Sequence, residues 1–134
     1  MPIEYLVSRG GHFVHAVATH PVTRQEFIEY EVAHAIDKNI KTPVSELLEI
    51  GHGALRHITK DEMSRVLQRR AEIKRLPLPH RCAIVVSYAD AHAWDLAKFY
   101  EGMVMLHSPD SVIVFGDINT AKLWLGVEDI QPNE

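Results

Sequence analysis

The chain has 134 residues, enough for one domain with a real hydrophobic core and too few for two comfortable ones. Apolar residues make up 46% and charged residues 24%, the balance of an ordinary soluble globular protein, which excludes extended disorder as the main state. The net charge of −4 argues against a general nucleic-acid binder, and the single cysteine, Cys82, excludes an intrachain disulfide or a cysteine-based zinc site within one chain.

The opening MPIEYLVSRGG carries no basic region followed by an apolar core and cleavage site, and no run approaches membrane-spanning length. The expectation is a cytoplasmic chain without a membrane anchor. Ile3, Tyr5 and Val7 alternate with Glu4, Leu6 and Ser8, and Phe13, Val17 and Thr19 resume the period of two after Arg9-Gly10-Gly11. This spacing predicts a hairpin with a glycine turn.

Thr23-Arg24-Gln25-Glu26 fits a capping box and predicts a helix over about 23–38, with Phe27, Ile28, Val32, Ala35 and Ile36 as its apolar stripe. A third strand follows over 44–50. Thr59-Lys60-Asp61-Glu62 is a second capping box, opening a helix that buries Met63, Val66, Leu67 and Ala71 and turns Arg65, Arg69, Arg70 and Lys74 to solvent. Leu76-Pro77-Leu78-Pro79 stops it, because proline lacks the amide and disfavours helical geometry in the preceding residue.

The continuously apolar run from Cys82 towards Tyr88 reads as a central strand covered on both faces. Ala89-Asp90 opens a third helix with Ala93, Leu96, Ala97, Tyr100, Met103 and Val104 on its apolar face. A last strand over 112–115 precedes a short helix carrying Ala121, Trp124 and Leu125, which Gly126 ends. The order is β-β-α-β-α-β-α-β-α, and right-handed crossovers make the last three strands parallel in a mixed sheet.

With this order, the stretches MPIEYLVSRGGHFVHAVATHPVTRQEF, RCAIVVSY and SVIVFGDINTAKLWLG resemble the bacterial SpoIIAA-like proteins, relatives of the STAS domain (sulfate transporter and anti-sigma factor antagonist). The last stretch looks like the strand and Ala-x-x-Trp-Leu helix of that family. The resemblance implies an α/β fold: one STAS/SpoIIAA-like domain over 1–134, a mixed sheet of about five strands, and about four helices packed mainly on one side. Residues 128–134 read as a flexible tail.

In anti-sigma factor antagonists of this fold, a partner kinase phosphorylates a serine in an Asp-Ser-x-Gly-like turn after the third strand. The corresponding stretch here is His57-Ile58-Thr59-Lys60-Asp61, so Thr59 takes that place without the Asp-Ser and glycine pattern.

Nine histidines raise the question of a metal. His12, His15 and His20 do not converge in a strand, and His52 and His57 lack a His-Glu-x-x-His or Cys-x-x-Cys companion, so no metal site is expected. Cys82 reads as buried and inert. Ser87, Asp90 and His92 contain the residue types of a triad, but Asp90 reads better as a helix cap, so no catalytic set is expected. Gly51-His52-Gly53 lacks the third glycine of a dinucleotide signature, so no cofactor is expected.

From Lys60 to Arg81 seven basic residues face three acids, yet no aromatic interrupts them, and a solvated face is the expectation. In parallel α/β sheets, ligands sit at the carboxyl ends of the strands. Those ends make His52, His57, Thr59, Ser87, Asp90, His92, Asp117 and Asn119 the binding or regulatory candidates. The functional expectation is a non-enzymatic regulatory or protein-interaction module with a protein partner, the homodimer being one form of it, and with neither nucleic acid nor membrane. The alternative is a small-metabolite-binding protein or small hydrolase using the same loops.

Overall fold

The computed structural model describes residues 3–73 and 79–127. The tail expected at 128–134 and most of the helix stop expected at 76–79 therefore lie outside the described residues, as does Lys74. Strand β1 (Ile3–Ser8) runs antiparallel to β2 (Phe13–Ala18), with Ile3 opposite Ala18 and Ser8 opposite Phe13. The reversal between them is one 3-10 turn with positive φ at Arg9, Gly10 and Gly11. At Gly11 glycine is required twice over: φ is 102°, and a Cβ would stand 2.4 Å from the Asn39 carbonyl oxygen.

Helix α1 (Arg24–Ile36) starts at the expected capping box, the Thr23 hydroxyl accepting from the Glu26 amide at 3.1 Å while Glu26 accepts from the Thr23 amide at 2.8 Å. The chain continues through β3 (Val44–Ile50), α2 (Lys60–Glu72), β4 (His80–Val86), α3 (Ala91–His107), β5 (Ser111–Phe115) and α4 (Ile118–Leu125). The five strands lie in the order β1-β2-β3-β4-β5, and every pair from β2 to β5 is parallel. Among the described residues the chain is an α/β fold with a five-stranded mixed sheet and four α-helices.

The period of two along each strand divides the core between the faces of the sheet. Ala16, Ala18, Leu48, Ile50, Cys82, Ile84, Val86, Val112 and Val114 pack with Phe27 of α1, Met63 and Val66 of α2, and Ala93, Leu96, Ala97 and Val104 of α3. On the other face, Phe13, Leu47 and Ala83 meet Ala121 and Leu125 of α4. Three helices thus cover one face and one covers the other. Arg81 anchors the latter, donating to the Trp124 and Leu125 carbonyls at 3.0 Å each and lying 5.3 Å from the Trp124 ring. Gly126 ends α4 with φ 74°.

Two expectations about faces are corrected. In α1 the apolar stripe is only partly the buried side: Phe27 is buried and Ile28 packs on the core, but Val32 and Ala35 are half-buried and Ile36 is exposed, while Tyr30, Glu31 and His34 are buried beside Phe27. In α2 the solvated basic side holds for Arg65 and Arg69, but Arg70 is buried and Ala71 is exposed. Both corrections have one cause: polar side chains beneath α1 and α2 are neutralised by one another. Strand β4 also begins two residues earlier than expected, which brings His80 into the sheet. No helix among the described residues is long and apolar enough to cross a membrane.

Candidate functional site

The residues singled out at the carboxyl ends of the strands sit where expected, and most are engaged in holding loops and helix starts. Thr59 caps α2: its hydroxyl accepts from the Glu62 amide at 3.1 Å and Glu62 accepts from the Thr59 amide at 3.2 Å. Asp90 caps α3 by accepting from the Ala93 amide at 3.2 Å and also accepts from the Gly53 amide at 2.8 Å. The Gly53 amide is the main reason its carboxyl lies below the usual aspartate range. His92 donates through Nε2 to the Ile58 carbonyl at 2.8 Å.

Asp90 and His92 therefore tie the loop after β3 to the start of α3. Ser87 Oγ accepts from the Ala89 amide at 3.1 Å. Asp117 caps α4, accepting from the Thr120 amide at 3.0 Å, and Asn119 is exposed in the first turn of that helix. His52 and His57 face solvent. Tyr88 lies over Gly116, where a Cβ would meet its ring at 2.1 Å, and packs on Trp94 with ring centroids 4.6 Å apart.

A second polar group lies at the opposite, amino ends of the parallel strands, beneath α1 and α2. Glu46 of β3, His80 of β4 and His34 of α1 are 4%, 4% and 2% exposed. Glu46 Oε1 lies 2.9 Å from His80 Nε2 and 3.4 Å from His34 Nε2, and Glu46 Oε2 accepts from the Tyr30 hydroxyl. His34 Nδ1 faces the Tyr30 carbonyl at 3.2 Å, and the His34 and Tyr30 rings are stacked 4.9 Å apart. His80 Nδ1 faces Asp110 Oδ2 at 3.6 Å.

The network continues through Arg70, which donates to Asp110 Oδ2 at 2.8 Å and has its Nε 3.9 Å from Glu31 Oε2. Tyr100 donates to Glu31 Oε1 at 2.8 Å and lies beneath the Arg70 guanidinium. Cys82, directly across the ladder from Glu46, completes the wall.

Burial sets the electrostatics of this group. Desolvation alone would raise the Glu46 carboxyl, but His34 and His80 outweigh it and hold the group well below its ordinary value. Desolvation would lower His80, yet Asp110 and Glu46 raise it to about 9. His34 is raised in the same way, Glu46 overcoming the effect of burial. Burial pushes the Cys82 thiol up. Chemically, the centre presents two imidazoles and one carboxylate with their ligand atoms within 4.8 Å of one another, a donor set for a divalent metal.

The buried group is absent from the sequence expectations because its members come from five elements and no pair shares a short motif. A signal existed in the register. Glu46 stands in phase with Val44, Leu48 and Ile50, and His80 in phase with Cys82, Ile84 and Val86, so both are polar residues at inward positions. In α1 the spacing of Phe27, Tyr30, Glu31 and His34 is as helical as that of the apolar stripe that drew notice.

The fold and its buried centre define a class, an α/β protein with a mixed five-stranded sheet covered by three helices and one. Beyond the class, no family model, no curated protein and no solved structure matches the chain.

Proposed function

We propose that the chain is a non-enzymatic regulatory and protein-interaction module of STAS/SpoIIAA-like type. The observation that carries this reading is the apolar surface along α2 and α3. A cleft between these helices is lined by Leu67, Ala71, Met103, Val104 and Pro109, and elsewhere on α3 Met105 and Leu106 are 61% and 76% exposed. An apolar-lined cleft flanked by exposed apolar side chains is the kind of surface on which a protein partner anchors. Arg65 on the outer side of α2 is exposed and forms no ion pair among the described residues, which favours a partner with apolar anchors and an acidic rim.

The five-stranded mixed sheet with four helices also supports the STAS-like reading, since the resemblance implied such a fold. Thr59 supports the regulatory half of it. The residue is exposed at the amino terminus of α2, and the next residue, Lys60, lies 5.5 Å from the Phe99 ring of α3. A phosphate on Thr59 is tolerated by the helix dipole, draws Lys60 away from Phe99 and displaces the Glu62 carboxylate from the cap.

The test is co-purification from native cells. A partner retained by the wild type is lost from Leu106→Glu and kept by the His52→Ala, His57→Ala double variant. Retention by Leu106→Glu, or substrate turnover that vanishes on replacing His52, His57 or Asp90, contradicts the reading. A Thr59→Glu chain that binds the partner as the wild type does removes the switch.

A further inference from the structure

We propose that His34 Nε2, Glu46 Oε1 and His80 Nε2 form a buried site for one divalent first-row transition-metal ion, with Zn²⁺ the best match. The three ligand atoms come from α1, β3 and β4 and lie within 4.8 Å of one another. Bonds of about 2.0–2.1 Å to a tetrahedral zinc ion place neighbouring ligand atoms roughly 3.3 Å apart. The two contacts to Glu46 Oε1, 2.9 Å and 3.4 Å, straddle that edge.

The outer groups point the same way. Each imidazole has an acceptor at Nδ1, the Tyr30 carbonyl for His34 and Asp110 for His80. Without a metal the rings donate from Nε2 to Glu46 Oε1; on binding, the Nε2 proton leaves to solvent, the Nδ1 proton stays on its acceptor, and the freed Nε2 lone pair turns to the ion. A histidine ligand backed by a carboxylate or a backbone carbonyl is the recurring outer shell of zinc sites. Tyr30 occupies the second oxygen of Glu46 and leaves Oε1 to bind alone. Two imidazoles and a carboxylate select zinc, iron, cobalt or nickel over calcium and magnesium, which take oxygen ligands.

The site lies at the amino ends of the strands and joins α1 to the two central strands. Its role is to fix the helix layer, and it stands independently of the interaction surface proposed above.

The experiment uses the full chain stripped with a chelator. Zn²⁺ is titrated against a chromophoric chelator, and Co²⁺ in a parallel sample reports its coordination through visible absorption. One equivalent binds to the wild type, Co²⁺ gives the intense bands of a four-coordinate site, and the melting temperature rises until one equivalent is reached. His34→Gln and His80→Gln, checked for native far-ultraviolet circular dichroism, lose that equivalent. The His52→Ala, His57→Ala double variant keeps it.

Asp110→Asn removes no ligand and keeps the stoichiometry, but binds about 10–100-fold more weakly. If the histidine variants do not fold, the wild-type stoichiometry and the Asp110→Asn affinity decide the matter. Failure of the folded wild type to bind an equivalent, or binding that disappears with His52 and His57 instead, overturns the site.

Discussion

Asp90 shows how much one side chain holds at the carboxyl end of the sheet. It accepts from the Ala93 amide that opens α3 and from the Gly53 amide of the neighbouring loop. Asp90→Ala should cost about 1–2 kcal/mol in urea unfolding, the range of a lost N-cap. The Gly53 amide depresses this carboxyl in the folded state. Its contribution is therefore complete above the ordinary aspartate value of about 3.9 and disappears as pH falls through the lower folded value. The stability gap between wild type and Asp90→Ala should accordingly hold at neutral pH and narrow below about pH 4. A gap that widened in acid would contradict that assignment. Two glycines make a second residue-scale comparison. Gly11→Ala meets the Asn39 backbone at a positive φ, whereas Gly116→Ala meets only the exposed Tyr88 ring, which can swing away. Thermal unfolding should show the larger loss for Gly11→Ala, and the Gly116 change should appear chiefly in Trp94 fluorescence.

Among the elements, the two helices with capping boxes differ from the rest of the layer in how they are buried. Thr59→Ala should destabilise the chain by about 1 kcal/mol, the usual worth of a cap. Arg70→Met should cost more, about 3–5 kcal/mol, because it withdraws a cation from the buried Asp110 and Glu31 carboxylates. Equal losses for the two changes in parallel denaturation curves would mean that the buried network carries no special weight. Helix starts were legible in the sequence because a capping box is local: Thr23 and Thr59 announce α1 and α2 within four residues. Strand positions were legible from the period of two. The buried face of α1 was not, because Tyr30, Glu31 and His34 become core residues only when Glu46, Arg70 and Tyr100 arrive from other elements. The same reason hid the His34, Glu46 and His80 centre, whereas the capping roles of Thr59 and Asp90 could be read in place.

At the scale of the molecule, the sheet divides the chain into a large apolar layer under three helices, with the buried polar group at its amino-end edge, and a smaller apolar layer under α4. The outer apolar surface follows α2 and α3, one end of which carries Thr59. The α/β order and the mixed sheet were readable because glycine, proline and alternation punctuate the sequence at nearly every element. The cleft was not, because it depends on how α2 and α3 pack side by side. The central claim is that this cleft receives a protein partner. Hydrogen exchange of the chain, alone and with the partner that co-purifies with it, measures this directly. The account predicts slowed exchange at the cleft-lining positions of α2 and α3, around Leu67, Ala71 and Met103. Protection confined to the loops of His52, His57 and Asp90, with α2 and α3 unchanged, would contradict it.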